Sequence, residues 1–240
     1  MTARKEKKWF DYGKSRLLSR NRLLFPHHRI VMQYFLDFFK DLSVNLKILD
    51  IGCGDGFFME LLRDLGFKNI KGIDLSSSML ERAKEKGLIV DKKDLYDIDD
   101  SERYDIVLMM DVLEHLEKPE EALKKIYNIL TPQGFLYINI PICDSLSLRL
   151  WRLLSGQTRA ELVRGCDETH LNSYSKRELI NLLRRVGFKI VKAPRLANRF
   201  PLVGRFSSKL SDFLQQFNFW GVFGDLLTVI AEKVEKKDVV

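Results

Sequence analysis

The feature that most constrains the fold is an apolar run that ends in three glycines at alternate positions. Residues 48–51 have the composition of a buried strand, and Gly52, Gly54 and Gly56 separate them from an apolar segment with helical spacing. Glycine has no Cβ and tolerates positive φ, so it permits a sharp turn and lets a ligand lie against the backbone. A second short apolar run ends at Asp74, 22 residues after Gly52. This layout predicts a nucleotide-binding βαβ unit.

The glycine spacing and the acid in front of it indicate the class of ligand. In dinucleotide sites a third glycine lets the helix pack close beside a pyrophosphate, and here Phe57 stands at that position. The negative charge of Asp50 disfavours an anionic pyrophosphate and suits a ligand that carries an ammonium and a sulfonium. Asp74, at the end of the next strand, can accept hydrogen bonds from both ribose hydroxyls. The pattern favours such a cationic cofactor, and a nucleotide-binding Rossmann domain of the dinucleotide type is the alternative.

Strand-like and helix-like segments alternate along the rest of the chain. Short apolar runs predict strands near 47–51, 70–73, 88–91, 104–109, 134–140, 188–192 and 226–234. Helical spacing predicts helices near 13–24, 29–41, 57–65, 77–86 and 119–130. Ser175 and Glu178 form a capping-box pattern, and Gly187 is expected to end the helix that they begin. The alternation predicts an α/β fold whose mostly parallel sheet carries helices on both faces.

Five segments in order resemble the successive motifs of class I S-adenosylmethionine-dependent methyltransferases, and in particular the branch that contains the ubiquinone-biosynthesis O-methyltransferases. These segments are 48–62, 70–83, 88–95, 104–116 and 134–141. The resemblance implies a Rossmann-like, doubly wound sheet of seven mostly parallel strands, with an antiparallel last strand and helical insertions that cover the active site. It also implies an N-terminal helical arm or lid at 1–44 and a methyltransferase domain at 45–240, with insertions at 141–173 and 196–224.

The same resemblance assigns a cofactor site for S-adenosylmethionine. Asp94 and Leu95 would recognise the adenine: the acid would accept from its amino group, and a backbone amide would donate to its ring. Met79 would cover one adenine face. Val112 and its neighbours would line the cofactor at the end of the fourth strand. The complete set of expected cofactor-binding residues is Asp50, Gly52, Cys53, Gly54, Asp74, Leu75, Met79, Asp94, Leu95, Asp111 and Val112.

Three further residues are candidates for the catalytic step. Methyl transfer is an in-line displacement, so positioning and exclusion of water supply much of the rate, and an oxygen or nitrogen nucleophile also benefits from a general base. His115 is expected to face the substrate as a base or an orienting donor, with Glu114 beside it and His170 as the next candidate.

A metal ion at this place is an open question. Asp111, Glu114, His115 and His170 resemble the metal-binding set of some relatives, which often carry Glu where this chain has Asp111. Such ligands could hold a divalent ion that acidifies a substrate hydroxyl. The alternative is that Glu114 and His115 only shape the pocket.

Charge and cysteine content indicate which partners and which cellular compartment suit the chain. The net charge is +7, and the basic residues concentrate in 1–30, with nine basic and two acidic residues, and in 145–210, with fourteen and four. This fits an anionic substrate, an anionic membrane surface or an ordinary solvated basic surface. Three cysteines without metal spacing indicate a reducing, cytoplasmic setting. We expect neither a bilayer-spanning run nor a signal peptide.

The leading functional hypothesis is methyl transfer to an oxygen or nitrogen of a small molecule. The aromatic residues of 196–224 and the basic insertion favour an apolar, quinone-like or lipid-linked acceptor, although the aromatic segment could equally be core, a dimer face or a peripheral membrane contact. One alternative is an RNA methyltransferase, which the charge supports and the lack of an RNA-binding motif disfavours. Another is a module that binds the cofactor without catalysis. The oligomeric state is open.

Overall fold

One mixed β-sheet organises the part of the chain that the structure describes. The computed structural model describes residues 26–146, 149, 153, 154, 156, 169–198 and 224–234. The helix expected at 13–24, most of the insertion at 141–173 and the aromatic residues of 196–224 lie outside these residues. The domain boundary at residue 44 stays a prediction.

The helices and strands follow the expected alternation. The helices are α1 (Pro26–Phe39), α2 (Phe57–Asp64), α3 (Ser77–Glu85), α4 (Pro119–Ile129) and α5 (Lys176–Val186). The strands are β1 (Lys47–Ile51), β2 (Asn69–Asp74), β3 (Val90–Lys92), β4 (Tyr104–Met110), β5 (Leu130–Pro141), β6 (Phe188–Lys192), β7 (Arg195–Asn198) and β8 (Gly224–Lys233). Two 3₁₀ turns, Leu95–Asp97 and Leu113–His115, follow β3 and β4.

The sheet has the strand order β3-β2-β1-β4-β5-β8-β6, and β7 also pairs with β8. Strands β1 to β5 run parallel to one another, whereas β8 runs antiparallel to β5, β6 and β7. The expected mostly parallel sheet with an antiparallel last strand is therefore confirmed. The carboxyl ends of β1, β2 and β4 meet at one edge of the sheet, which is where open α/β folds bind ligands.

Within the described residues the sheet contains eight strands where seven were expected, because its outer strand is broken in two. Strands β6 and β7 both pair with β8, with Lys192 opposite Ile230 and Arg195 opposite Leu227. Pro194 lies between them and has no N–H to donate, but its carbonyl still accepts from Thr228 N at 3.2 Å. Residues 196–198, expected in the second insertion, thus continue the edge of the sheet.

Buried side chains cover both faces of the sheet. One face packs against α4 and α5, and the other against α1, α2 and α3. Helix α1 confirms the helix predicted at 29–41, and its Phe35 and Phe39 are at most 1% exposed. Phe35 meets the ring of Tyr137 on β5 edge to face, with a centroid separation of 5.4 Å. No helix among the described residues has the length and hydropathy needed to cross a bilayer.

Helix α5 fixes the segment that precedes it against the exit of β5. The predicted capping box is present, since Glu178 N donates to Ser175 Oγ at 3.2 Å and Ser175 N donates to Glu178 Oε2 at 2.7 Å. Gly187 ends the helix with φ 120°, as expected. Just before the cap, Cys143 N donates to the carbonyl of Tyr174 at 3.0 Å. The chain therefore returns from the insertion alongside the strand that it left.

Candidate active site

The loop after β1 adopts the left-handed backbone that its glycines were expected to allow. Gly52, Gly54 and Gly56 have φ values of 69°, 53° and 79°. Gly52 N and Cys53 N both donate to the carbonyl of Ile73, at 2.8 and 3.1 Å. The loop is thereby tied to the end of β2.

The three loop glycines differ in what surrounds them. A Cβ added to Gly52 would lie 2.4 Å from Val112 Cγ2, and one added to Gly56 would lie 2.1 Å from Leu88 Cδ1. A Cβ added to Gly54 would meet no described heavy atom within 4 Å. Two of the glycines thus permit close packing within the protein, whereas Gly54 borders the open space that a ligand would occupy.

Two carboxylates lie beside this loop in contrasting environments. Asp74 accepts from Gly54 N through Oδ2 and from Ser76 N through Oδ1, each at 2.8 Å. Asp50 is 2% exposed, and its Oδ2 has no hydrogen-bond partner among the described residues. Burial, together with the negative charge of Asp74, raises the pKa of Asp50 to about 8. A cation placed here would stabilise the ionised form of Asp50.

Two expected cofactor residues after Asp74 present apolar surface to solvent. Leu75 is 62% exposed and Met79 is 37% exposed. Met79 lies in the first turn of α3, which Ser76 caps by accepting from Met79 N. The position of Met79 is compatible with the predicted cover over an adenine ring.

The remaining cofactor-site predictions near β1 and β3 fall on more enclosed residues. Cys53 is 8% exposed, and burial raises the pKa of its thiol, so the sulfhydryl is neutral and structural in character. Asp94 caps the 3₁₀ turn after β3 by accepting from Tyr96 N at 3.0 Å, and the side chain of Leu95 is buried in the core. One oxygen of the Asp94 carboxylate is thus already used within the chain.

The turn after β4 brings a second group of expected residues to the glycine loop. Asp111 has a φ of 55°, which is uncommon for a residue other than glycine, and its N–H donates to the carbonyl of Asn139 at 2.8 Å. Val112 follows and packs against Gly52. The 3₁₀ turn Leu113–His115 then places Glu114, 1% exposed, and the half-buried His115 directly beyond Val112.

Residues 169–172, which return from the insertion and are called the returning segment below, pack on this 3₁₀ turn. Leu171 N and Asn172 N both donate to the carbonyl of Glu114, at 3.0 and 2.9 Å. The side-chain amide of Asn172 donates to the carbonyl of Leu116 at 2.5 Å. These three hydrogen bonds join parts of the chain that are more than fifty residues apart.

The returning segment also brings the two candidate histidines together. The rings of His115 and His170 have centroids 4.8 Å apart and an interplanar angle of 64°. The possible ligand atoms of Glu114, His115 and His170 all lie within 4.8 Å of one another. Asp111, the fourth member of the expected metal set, is not part of this group.

Thr169 and Asn172 contribute to the site, although the sequence analysis did not select them. His115 Nδ1 lies 3.2 Å from the carbonyl oxygen of Thr169 and 3.1 Å from its hydroxyl. Tyr174 lies nearby, and burial, followed by the charges of Glu114 and Glu178, raises its pKa to about 12. A polar run of Thr, His and Asn immediately before a capping box was the signal that could have identified this segment.

The described fold and the glycine loop define a class I methyltransferase domain. A family model described as "Methyltransferase domain" matches residues 23–193, so the chain belongs to this family. A solved structure of a SAM-dependent methyltransferase from Archaeoglobus fulgidus superposes with a TM-score of 0.62 and 22% identity, covering 85% of this chain and 91% of that one. The class is thus that of the S-adenosylmethionine-dependent methyltransferases.

The relatives in sequence include ubiquinone-biosynthesis enzymes. The mitochondrial ubiquinone biosynthesis O-methyltransferase of Candida albicans is 38% identical over 105 residues, which are 40% of this chain and 32% of that protein. The ubiquinone biosynthesis O-methyltransferase of Rickettsia canadensis is 26% identical over 190 residues, 75% of each chain. The match thus spans about a third of one relative and three quarters of the other.

Proposed function

We propose that the protein transfers the methyl group of S-adenosylmethionine to a hydroxyl oxygen of a small, quinone-like acceptor. The observation that carries the proposal is the contact between Gly52 and Val112, which joins the glycine loop to the turn that holds His115. A cofactor on the loop and a base on the turn would therefore be neighbours. The O-methyltransferase names of the relatives support oxygen as the acceptor atom.

The cofactor half of the proposal depends on charge and on open space. Asp74 retains lone pairs beyond those used for Gly54 and Ser76, and these could accept from ribose hydroxyls. Asp50 offers a buried carboxylate oxygen for a cationic cofactor. Helix α2 begins at Gly56, directly after the glycine loop, and the positive end of its dipole would favour the cofactor's carboxylate.

The proposed reaction is a balanced displacement at the methyl carbon. The acceptor oxygen forms a bond to this carbon as the carbon–sulfur bond breaks, and the bonding electrons reduce the sulfonium to the neutral thioether of S-adenosylhomocysteine. The acceptor's hydroxyl proton passes to His115, which becomes an imidazolium and later releases the proton to water. Such a base contributes about 10² to 10⁴ in rate.

Exposed leucines support an apolar acceptor. Leu153 and Leu154 of the insertion are 82% and 69% exposed, and Leu171 on its return is 60% exposed. Leu171 follows His170 in sequence, and its N–H donates to the carbonyl of Glu114, the residue before the candidate base. An apolar tail on the acceptor would cover Leu171. We therefore expect Leu171→Ser to raise KM more for a tailed acceptor than for a tail-less one.

The side chains of Glu114, His115 and His170 also fit a divalent cation. One carboxylate and two imidazoles are suitable ligands for a first-row metal, and the three could converge on one ion. If bound, such an ion would lower the pKa of the acceptor's hydroxyl. The proton transfer proposed for His115 does not require it.

The test measures cofactor binding and turnover separately. Calorimetry with S-adenosylhomocysteine should show binding to the wild type and to His115→Gln with Kd values within about twofold. Methyl-labelled cofactor and a panel of catechols and hydroquinones with and without alkyl tails should show turnover by the wild type. His115→Gln should lower kcat by about 10² or more.

Three results would overturn the proposal. Absence of S-adenosylhomocysteine binding would remove the cofactor assignment. Full turnover by His115→Gln would show that His115 is not the general base. Transfer of label to RNA at low salt, with none to the phenolic panel, would favour RNA as the acceptor.

A further inference from the structure

Three hydrogen bonds to backbone carbonyls and one contact to the ring of His115 join the returning segment 169–172 to the turn at 113–116. We propose that this segment is a positioning element that holds His115 as the Nδ1–H tautomer, leaving Nε2 as the nitrogen that can take a proton. The inference rests on the proposed role of His115 as a base. Thr169 supplies the contact to the ring, and Asn172 holds Thr169 in place.

The tautomer follows from which groups surround Nδ1. The carbonyl oxygen of Thr169 lies 3.2 Å from Nδ1, and a carbonyl can only accept. If Nδ1 carried a lone pair, the Thr169 hydroxyl could donate to it, but the carbonyl oxygen would face a second acceptor. With a proton on Nδ1, the carbonyl and the Thr169 hydroxyl, at 3.1 Å, can share it. A hydrogen bond at one ring nitrogen determines the state of the other, so Nε2 keeps its lone pair.

The contact could not persist unless the segment were held against the turn. Asn172 makes two of the hydrogen bonds that do so, from its backbone N–H to the carbonyl of Glu114 and from its side-chain amide to the carbonyl of Leu116. Leu171 N adds a third. Glu114 and Leu116 flank His115 in sequence, so the segment is hydrogen-bonded to the turn on both sides of this histidine. His170 stacks edge-on against the same ring.

Long-range ¹H–¹⁵N correlation spectra report the tautomer directly. The chain has four histidines, so the His115 signals can be assigned by their loss in His115→Gln. At about pH 8.5, where an ordinary imidazole is neutral, we expect His115 to show a protonated Nδ1 and an unprotonated Nε2. An Nε2–H tautomer, or the mixture seen for a free imidazole, would overturn the inference without any substituted protein.

Asn172→Asp tests the holding role, with Asn69→Asp as its matched control. Asn69 also donates from its side-chain amide to a backbone carbonyl, that of Asn45 at 2.8 Å, at the start of β2. Asn172→Asp places a carboxylate oxygen against the Leu116 carbonyl, and we expect a mixed tautomer at His115. We also expect kcat to fall about ten- to a hundredfold, with KM for the cofactor within about twofold. Asn69→Asp should change neither the His115 tautomer nor kcat.

Thr169→Val distinguishes the carbonyl from the hydroxyl. The substitution removes the hydroxyl and leaves the backbone, so the Nδ1–H tautomer should persist. A switch to Nε2–H in this variant would show that the carbonyl does not set the tautomer. Because the spectra require no acceptor, they decide the inference even if the phenolic panel is not methylated, so the two proposals can fail separately.

Discussion

The carboxylate of Asp74 accepts a hydrogen bond from the backbone N–H of Gly54 at 2.8 Å. The acid expected to hold the cofactor ribose therefore also holds the loop on which the cofactor would lie. Its second oxygen accepts from Ser76 N, so one side chain joins the loop, the end of β2 and the cap of α3. Substituting Asp74 would disturb loop and ligand together. Cleaner tests of the cofactor site come from its neighbours.

Gly54→Ala should weaken cofactor binding without an unusual loss of stability. Gly54 and Gly87 have φ values of 53° and 72°, and an added Cβ meets no described heavy atom within 4 Å at either position. Each Ala substitution therefore carries the same backbone strain, about 1–2 kcal/mol. Only Gly54 borders the proposed ligand. Thermal denaturation should show similar losses for the two variants, while calorimetry should show at least about tenfold weaker S-adenosylhomocysteine binding for Gly54→Ala alone, about 1.4 kcal/mol. Equal affinities would contradict this prediction.

Gly52→Ala should disturb the turn at 112–115 through direct contact. Its Cβ would lie 2.4 Å from Val112 Cγ2, so the loop or the turn must move. We expect a larger loss of stability than for Gly87→Ala, together with a lower kcat. Val112→Ala removes the colliding methyl group, so the double variant should recover part of the lost stability in a double-mutant cycle. Strict additivity of the two substitutions would show that the contact does not couple loop and turn.

Asp50 should make stability and cofactor binding depend on pH. Its folded-state pKa is about 8, against about 3.9 for an ordinary Asp, so between these values the folded protein holds a proton that the unfolded chain lacks. The stabilisation is complete below about pH 4 and is lost as pH rises through about 8. Asp50→Asn should flatten this dependence in thermal denaturation between about pH 5 and pH 9. Asp37 is exposed, so the control substitution Asp37→Asn should leave the pH dependence of stability unchanged.

The same carboxyl should release a proton when the cofactor binds. The cofactor's positive charges would favour ionised Asp50 and lower its pKa. Calorimetric titrations near pH 7 in two buffers of different ionisation enthalpy should therefore give different binding enthalpies for the wild type and equal ones for Asp50→Asn. Equal enthalpies for the wild type would place the cationic groups away from Asp50.

Chelator treatment should leave methyl transfer intact. In the proposed reaction His115 takes the proton directly, so dialysis against EDTA should leave kcat within about twofold. The contrary result would be a full loss of activity that one divalent metal restores in the wild type but not in Glu114→Gln. That result would make Glu114, His115 and His170 a metal centre.

Local patterns in the sequence were sufficient to predict most of the fold. The glycine turn after β1 and the Ser175–Glu178 cap are set by residues close together in the chain, and both are present. The second half of the outer strand was missed: the prediction ended this strand at Lys192, whereas β7 resumes beyond Pro194 in the register that Lys192 sets opposite β8. The polar run at 169–172 could have marked this segment, but the partners of Thr169 and Asn172 were not predictable, since they lie more than fifty residues away.

The position of β8 in the sheet has a consequence for how the chain is made. Strand β8 is the last described strand along the chain, yet it lies between β5 and the β6–β7 edge. A nascent chain must therefore keep the edge of β5 unpaired until residues 224–233 have left the ribosome. An open edge of this kind invites pairing with other chains, so the chain is most exposed to mispairing in the interval between synthesis of β5 and arrival of β8.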